Sequence, residues 1–257
     1  MNTRTTQAAP AGVQSVERVF DLLEVITAAG GDMSLSELSA ASELPLPTIH
    51  RLLRTLVPTG YVRQLPNRNY ALGPRLILLG DAAGRQFGSA ARSRLNEVVQ
   101  ELGESVNMAV LDGHQAVYIA QAQSNRSMRM FTEVGRRVDT HDTGVGKAML
   151  ATLPEDRVRA IVTAAGMPTP TPKSIGSLEA LFADLELIRE RGYAMDDEET
   201  ELGVRCYSMA IPHAPTPTAI SVSGPITRVD EEFGRRAVPA LRRAAEAIAH
   251  ELMSGPA

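Results

Sequence analysis

The chain has 257 residues, enough for one large or two ordinary domains. Its hydrophobic content of 44% and charged content of 22% are typical of a globular protein. A single cysteine excludes an intramolecular disulfide framework, and no apolar run approaches the ~20 residues that span a bilayer. We therefore expect a cytoplasmic protein that makes no contact with a membrane.

The N-terminal region changes character at about residue 12. Residues 1–12 lack the apolar core of a signal peptide, and we interpret them as a disordered leader. The residues that follow repeat apolar side chains at helical spacing, which predicts a first helix after Ser15. These apolar positions are Val16, Val19, Phe20, Leu23 and Ile26.

Residues 34–56 predict two short helices joined by a tight turn. Ser34 and Glu37 have the spacing of a capping box, which fixes the start of the first helix. Pro47 suits the first turn of the second helix, where no backbone donor is needed. The second helix is predicted to bury the apolar residues at positions 49, 52, 53 and 56.

The exposed side of the second helix is predicted to carry polar and basic side chains, namely Thr48, His50, Arg51 and Arg54. Two predicted strands, 60–63 and 69–72, follow around a turn and add Arg63 and Arg68. Residues 42–75 contain five arginines and one acid, whereas the whole chain has a net charge of −4. This order of elements and local positive charge favour a winged helix-turn-helix that reads double-stranded DNA.

Two other interpretations of this segment stay open. Any amphipathic helix pair can carry two arginines on its solvated face. A winged helix can also dock a protein partner, which would make the segment a protein-interaction module. Strong weakening of binding by salt would favour DNA, because phosphate contacts release counterions.

We predict a winged helix-turn-helix domain at 13–73, a linker helix at 74–89 and a second domain at 90–254. The strands of the second domain are predicted near 107–111, 116–121, 128–131, 193–196, 206–211 and 218–223. Its helices are predicted near 91–102, 143–152, 154–164, 177–191 and 231–252. This mixed α/β order suggests a central antiparallel sheet with helices on its faces.

No motif indicates catalysis or a bound metal or cofactor. The run of acids at 196–199 is typical of a solvated loop more than of a metal site. A small-molecule site is better supported, because Gly144, Val145 and Gly146 precede a helix, and such a segment lets backbone N–H groups approach an anion. Ser221 and Ser223 alternate along a predicted strand, so both hydroxyls point to the same face.

Several long segments resemble the IclR family of bacterial transcriptional regulators. The resemblance covers residues 13–250 and includes SVERVFDLLEVI, TIHRLLRTL, THDTGVGKAMLA, RGYAMDDEETELGVRCYSMAIP and ISVSGP. It implies an N-terminal winged helix-turn-helix and a C-terminal GAF-like α/β domain that binds an effector. It also implies a homodimer or homotetramer that represses transcription from a DNA operator.

The resemblance implies which positions line the effector site. These are the backbone around Gly146 together with Asp196, Cys206 and Ser223, to which we add Ser221 from its side-chain direction. Backbone N–H groups and serine hydroxyls suit a carboxylate, and an aspartate suits a hydroxyl. We therefore expect a small carboxylic acid such as glyoxylate, as in the family's allantoin and glyoxylate regulators, which the chain most resembles.

The sequence departs from the family pattern at two places, and Cys206 allows an alternative function. Leu46 and Pro47 stand where the family has Lys-Ser, so the arginines of the winged helix would carry more of the DNA affinity. Asp142 replaces a small residue and is expected to point away from the effector. Cys206 is alternatively a nucleophile of a small-molecule enzyme, but His213 is seven residues away and no motif supports the pair.

Overall fold

The computed structural model describes residues 13–127, 130 and 132–254, and within these it describes no side chain at 85–90 or 254. The predicted leader, and the predicted strand near 128–131 except for Met130, lie outside the described residues. The chain divides after Ala83 into two compact units.

In its described part, the first unit contains three complete helices, the start of a fourth and a small antiparallel sheet. In chain order its elements are α1 (Gln14–Ala28), β1 (Asp32–Met33), α2 (Leu35–Ser42), α3 (Leu46–Leu56), β2 (Val62–Gln64) and β3 (Tyr70–Leu72). The strands lie in the order β1-β3-β2. Leu22, Ile26, Leu38, Ile49 and Leu53 pack together in its core.

Capping signals set the limits of α2 and α3. The backbone N–H of Glu37 donates to Ser34 Oγ at 3.3 Å, and the backbone N–H of Ser34 donates to Glu37 Oε2 at 2.7 Å. The predicted capping box is thereby confirmed. Glu43 ends α2 in the left-handed region with a φ of 56°, and Pro47 lies in the first turn of α3.

A single helix, α4 (Arg75–Leu102), occupies the stretch where the sequence predicts two. Glycines at 80, 84 and 88 suggested a soft linker that would end before a second helix. A glycine inside a helix costs only about 1 kcal/mol relative to alanine, and no proline accompanies these three to break the backbone hydrogen bonds. The predicted limits of the linker and of the domains stay a prediction.

The second unit is built on a six-stranded antiparallel sheet in the order β6-β5-β4-β9-β8-β7. Its strands are β4 (Ser105–Asp112), β5 (Gln115–Ala122), β6 (Arg137–Val138), β7 (Ala194–Asp197), β8 (Val204–Ala210) and β9 (Thr218–Pro225). Its further helices are α5 (Gly144–Leu150), α6 (Glu155–Ala165), α7 (Leu178–Arg191) and α8 (Glu231–Ser254).

The two faces of this sheet bury different helices. Residues 91–102 of α4 and helix α8 contribute to one core, where Met108 and Val222 of the sheet meet Leu241 of α8. On the other face, α5, α6 and α7 pack around Ala109 and Ala219. The predicted antiparallel sheet with helices on its faces is therefore confirmed. In the described part of the chain, no helix is both long and apolar enough to cross a membrane.

Candidate functional site

Helix α3 separates its apolar and basic side chains onto opposite sides. Ile49, Leu52, Leu53 and Leu56 are buried. His50, Arg51 and Arg54 are exposed, and Thr48 is half-buried. Neither Arg51 nor Arg54 forms an ion pair with any residue that the structure describes, so both guanidinium groups can bind an external anion.

The β2–β3 hairpin carries the two other basic residues predicted to contact DNA. Arg63 lies on β2 and is exposed. Arg68 is exposed in the hairpin turn with a φ of 69°, and its backbone N–H donates to Leu65 O at 2.9 Å. The structure therefore places all six predicted residues on α3 or on the hairpin of the same compact unit.

A cavity of about 140 Å³ opens in the second unit, between the sheet and the segments that flank it. Tyr118, Met130, Thr132, Arg136, Val138, Thr143, Gly144, Asp196, Thr200, Glu201, Val204, Cys206 and Ser223 line it. At about 30 Å³ per water molecule, this volume equals four or five waters. It therefore fits a ligand of a few carbon atoms.

Four of the residues predicted from the sequence meet at this cavity, namely Gly144, Asp196, Cys206 and Ser223. The strand register explains why three of them lie side by side. Asp196 pairs with Cys206 across β7 and β8, and Cys206 pairs with Ser223 across β8 and β9. Directly opposed residues of antiparallel strands point to the same face of a sheet.

Three other predicted residues do not line the cavity: Val145, Gly146 and Ser221. The side chain of Val145 packs into the core with α6 and α7. The N–H of Gly146 donates to Thr143 Oγ1 at 3.2 Å, so the helix cap uses the donor that was assigned to the effector. Ser221 is paired with Ser208 and lies two residues before Ser223 on β9. Effector contacts by these three residues stay a prediction.

The acidic run at 196–199 is not the solvated loop that its composition suggests, because Asp196 and Glu199 are buried. Asp196 Oδ1 accepts the backbone N–H of Glu199 at 2.8 Å, and Oδ2 accepts the hydroxyl of Thr200 at 2.5 Å. Burial raises the pKa of the Asp196 carboxyl above its ordinary value, and these hydrogen bonds oppose that rise. Asp196 therefore shapes the loop that lines the cavity, and Oδ2 keeps room for a further donor.

A buried ion cluster connects the same loop to α5 and α7. Lys147 is 1% exposed, and its Nζ lies 2.5 Å from Glu199 Oε1 and 2.9 Å from Asp184 Oδ2. Burial raises the pKa of the Glu199 carboxyl to about 7, while the Lys147 charge opposes this shift. Within the described residues, no group of His, Cys, Asp and Glu side chains is suited to a metal ion.

The surroundings of Cys206 do not favour nucleophilic catalysis. Burial, followed by the nearby Asp196 charge, raises the pKa of the thiol, which is therefore protonated at neutral pH. Its Sγ lies 3.2 Å from Ser208 Oγ. Cys206 is near the start of β8 and His213 follows its end, so roughly 13 Å of strand separates their positions.

Sequence reasoning missed most of the cavity wall, including Tyr118, Arg136, Thr200 and Glu201. Thr200 and Glu201 directly follow the acidic run, and that position was the signal for them. Tyr118 and Arg136 are joined by a backbone hydrogen bond between β5 and the segment before β6, and no local sequence pattern predicts this contact. Asp142 is buried and absent from the cavity wall, in line with the expectation that it points away.

Comparison with known proteins agrees with both units. A model of the IclR helix-turn-helix domain matches residues 15–66, and a model of the bacterial transcriptional regulator IclR C-terminal domain matches residues 84–250. The chain belongs to the IclR family of bacterial transcriptional regulators.

Relatives within the IclR family resemble the chain along most of its length. Transcriptional repressor IclR of Escherichia coli K12 is 37% identical over 92% of this chain and 90% of its own length. The repressor AllR of the same strain is 33% identical over 89% of this chain and 88% of its own. The crystal structure of Thermotoga maritima IclR superposes with a TM-score of 0.77 at 28% identity, covering 93% of this chain and 98% of that one.

Membership of the IclR family identifies the chain as a DNA-binding transcriptional regulator. The predicted mixed α/β fold, with an N-terminal helix-turn-helix and a C-terminal sheet domain, is confirmed. The relatives are transcriptional regulators rather than enzymes. Similar identities to IclR and AllR do not assign the chain to the allantoin subgroup.

Proposed function

We propose that the chain represses transcription by binding an operator through α3 and the β2–β3 hairpin. The single observation that carries this proposal is the exposed, unpaired pair Arg51 and Arg54 on the helix that follows the turn. Thr48 and His50 on α3, with Arg63 and Arg68 on the hairpin, complete the proposed contact surface. Such a protein acts where the chromosome is, in the cytoplasm.

The effector is a small carboxylic acid that enters the cavity between Asp196, Cys206 and Ser223. The volume of about 140 Å³ supports an acid of two to four carbons, such as glyoxylate. Asp196 Oδ2 accepts a hydroxyl of the ligand, and the Ser223 hydroxyl is the nearest neutral donor on the adjacent strand. The predicted allantoin and glyoxylate subgroup would use this chemistry.

The functional form is a homodimer or homotetramer. Two exposed apolar residues on α1 support an interface in the first unit, since Val16 is 51% and Phe20 is 59% exposed. Ile77, at the start of α4, is 65% exposed. A two-fold dimer would place its α3 helices at half-sites about 34–36 Å apart.

A capture experiment tests regulator and effector together. Fragmented host DNA is retained on the purified protein with and without glyoxylate, and the retained DNA is sequenced. We expect discrete sites whose occupancy changes with glyoxylate, because an effector acts by binding one arrangement of the protein better than another. Discrete sites whose occupancy does not change with glyoxylate would contradict glyoxylate as the effector but support the DNA-binding regulator. The absence of enriched DNA would favour a protein-interaction module.

Replacing Arg51 or Arg54 with alanine should weaken operator binding roughly 5- to 150-fold, because an arginine contact to a base is worth about 1–3 kcal/mol. Fluorescence anisotropy with a captured site, repeated over a range of salt concentrations, measures the change. Arg157→Ala is the matched control, because it removes the same charge from the exposed face of α6. Unchanged affinity in both α3 variants would place the DNA contacts elsewhere.

A further inference from the structure

Arg136 is the one positively charged residue among the described residues that line the cavity. Most arginines of the second unit are held in ion pairs, as Arg137 is by Asp112 Oδ2 at 2.5 Å. The Arg136 guanidinium, by contrast, has no carboxylate within 4 Å in the part of the chain that the structure describes. A guanidinium that is left unpaired at the wall of a small cavity is available to a ligand.

The backbone holds Arg136 firmly in this position. Arg136 O accepts the backbone N–H of Tyr118 at 3.1 Å, and the N–H of Gly135 donates to Tyr118 O at 2.7 Å. The N–H of Arg136 donates to Glu133 O at 3.1 Å. These bonds fix the start of β6 against β5, so the side chain begins from a defined point beside Tyr118.

The distribution of charge around the cavity determines which end of the ligand faces inward. Asp196 is buried in the wall, and an effector carboxylate placed against it would meet a like charge. Arg136 is exposed, so it lies at the solvent side of the same wall. Glu201 is also exposed there, but it forms no ion pair with Arg136 among the described residues.

We propose that Arg136 binds the carboxylate of the effector at the mouth of the cavity, with the hydroxyl or carbonyl end directed inward to Asp196 and Ser223. This inference rests on the proposed effector function. It makes Arg136 a specificity-determining residue, since an uncharged analogue of the same shape loses the charge-assisted hydrogen bonds. It also assigns the inner end of the ligand, because Asp196 accepts hydrogen bonds and repels anions.

Calorimetry with paired probes tests the proposal. Glyoxylate, glycolate and lactate are titrated into the full chain beside their uncharged amides, glyoxylamide, glycolamide and lactamide. We expect at least one carboxylate to bind the unmodified protein, and its amide to bind roughly tenfold more weakly or not at all. Arg136→Gln should weaken carboxylate binding by a similar factor, and it should reduce the dependence of that affinity on salt.

Arg137→Gln is the matched control, because it removes the neighbouring guanidinium, whose ion pair with Asp112 is exposed. It should change carboxylate affinity less than twofold. Equal carboxylate affinity in Arg136→Gln and the unmodified protein overturns the proposal, as does a protein that binds none of the three acids. A failure of the regulator itself is distinguishable, since it would appear as absence of DNA sites in the capture experiment.

Discussion

Replacing Lys147 with methionine should lower the free energy of unfolding of the second unit by about 3–5 kcal/mol, because it leaves the buried Glu199 carboxylate without its counter-charge, whereas the half-buried Asp184 keeps Arg191 at 3.6 Å. Glu199 Oε1 and Asp184 Oδ2 both lie within 3 Å of the Lys147 ammonium in the folded protein. Methionine matches the length of the lysine stem, so loss of packing contributes little to the change. Urea unfolding followed by circular dichroism measures it.

The loss should grow between pH 5 and pH 8, and the pKa of Glu199 gives the sign. Burial raises this pKa from 4.5 to about 7, so the folded state holds a proton that the unfolded state releases in this range. Stability from this group is present below pH 4.5 and is lost as the pH rises through about 7. At pH 5 Glu199 is protonated with or without Lys147 and needs no counter-ion. At pH 8 the original chain holds an ionised Glu199 beside Lys147, whereas the variant must either bury an uncompensated charge or keep the proton bound, and both cost stability.

A triple variant provides the control for Lys147. Lys147→Met combined with Glu199→Gln and Asp184→Asn removes all three charges and should recover much of the lost stability. Replacing a whole buried ion cluster with neutral side chains is often close to neutral. A single Lys147→Met variant as stable as the original chain at pH 8 would show that the cluster does not hold the loop.

Replacing Gly146 with alanine should cost about 2–4 kcal/mol, from steric overlap and from loss of the helix cap. A Cβ at this position would lie 2.4 Å from Thr140 Cα and 2.5 Å from Thr140 O, both of which are backbone atoms. It would also lie 2.6 Å from Thr143 Oγ1, the acceptor that caps α5. Thermal unfolding should therefore occur roughly 5–15 °C lower.

Gly80→Ala is the matched substitution for Gly146→Ala. No heavy atom lies within 4 Å of a Cβ built at Gly80, which sits in α4. We expect it to be neutral or to stabilise by about 0.5–1 kcal/mol, as alanine is the better helix former. If Gly146→Ala melted like Gly80→Ala, the first turn of α5 would have to be free to move away from Thr140.

Local signals in the sequence were sufficient to predict α2 and α3. A capping box and a proline in the first turn act within a few residues, and the structure contains both. The two-residue strand β1 was missed because it exists only through its pairing with β3. The strand β6 was missed for the same reason, as its residues become a strand only against β5.

The same distinction between local signals and distant contacts applies to the candidate site. Positions carried by long motifs, such as Asp196 and Cys206, do line the cavity. The burial of Glu199 was not predictable from four adjacent acids, because its counter-charge Lys147 is 52 residues away in the chain. Arg136 had no distinguishing neighbour in the sequence, and only the sheet brings it beside Tyr118.

The segment at residues 196–201 combines two tasks, binding at the cavity and anchoring to the ion cluster. Thr200 and Glu201 line the cavity, while Glu199 belongs to the ion cluster. Positions that line the cavity and positions of the ion cluster are therefore expected to change at different rates during evolution. Duplicated genes can exchange Glu201, which is exposed and forms no ion pair among the described residues, and so acquire new ligands. A change at Glu199 must wait for compensating changes at Lys147 and Asp184, so those three positions are expected to diverge together.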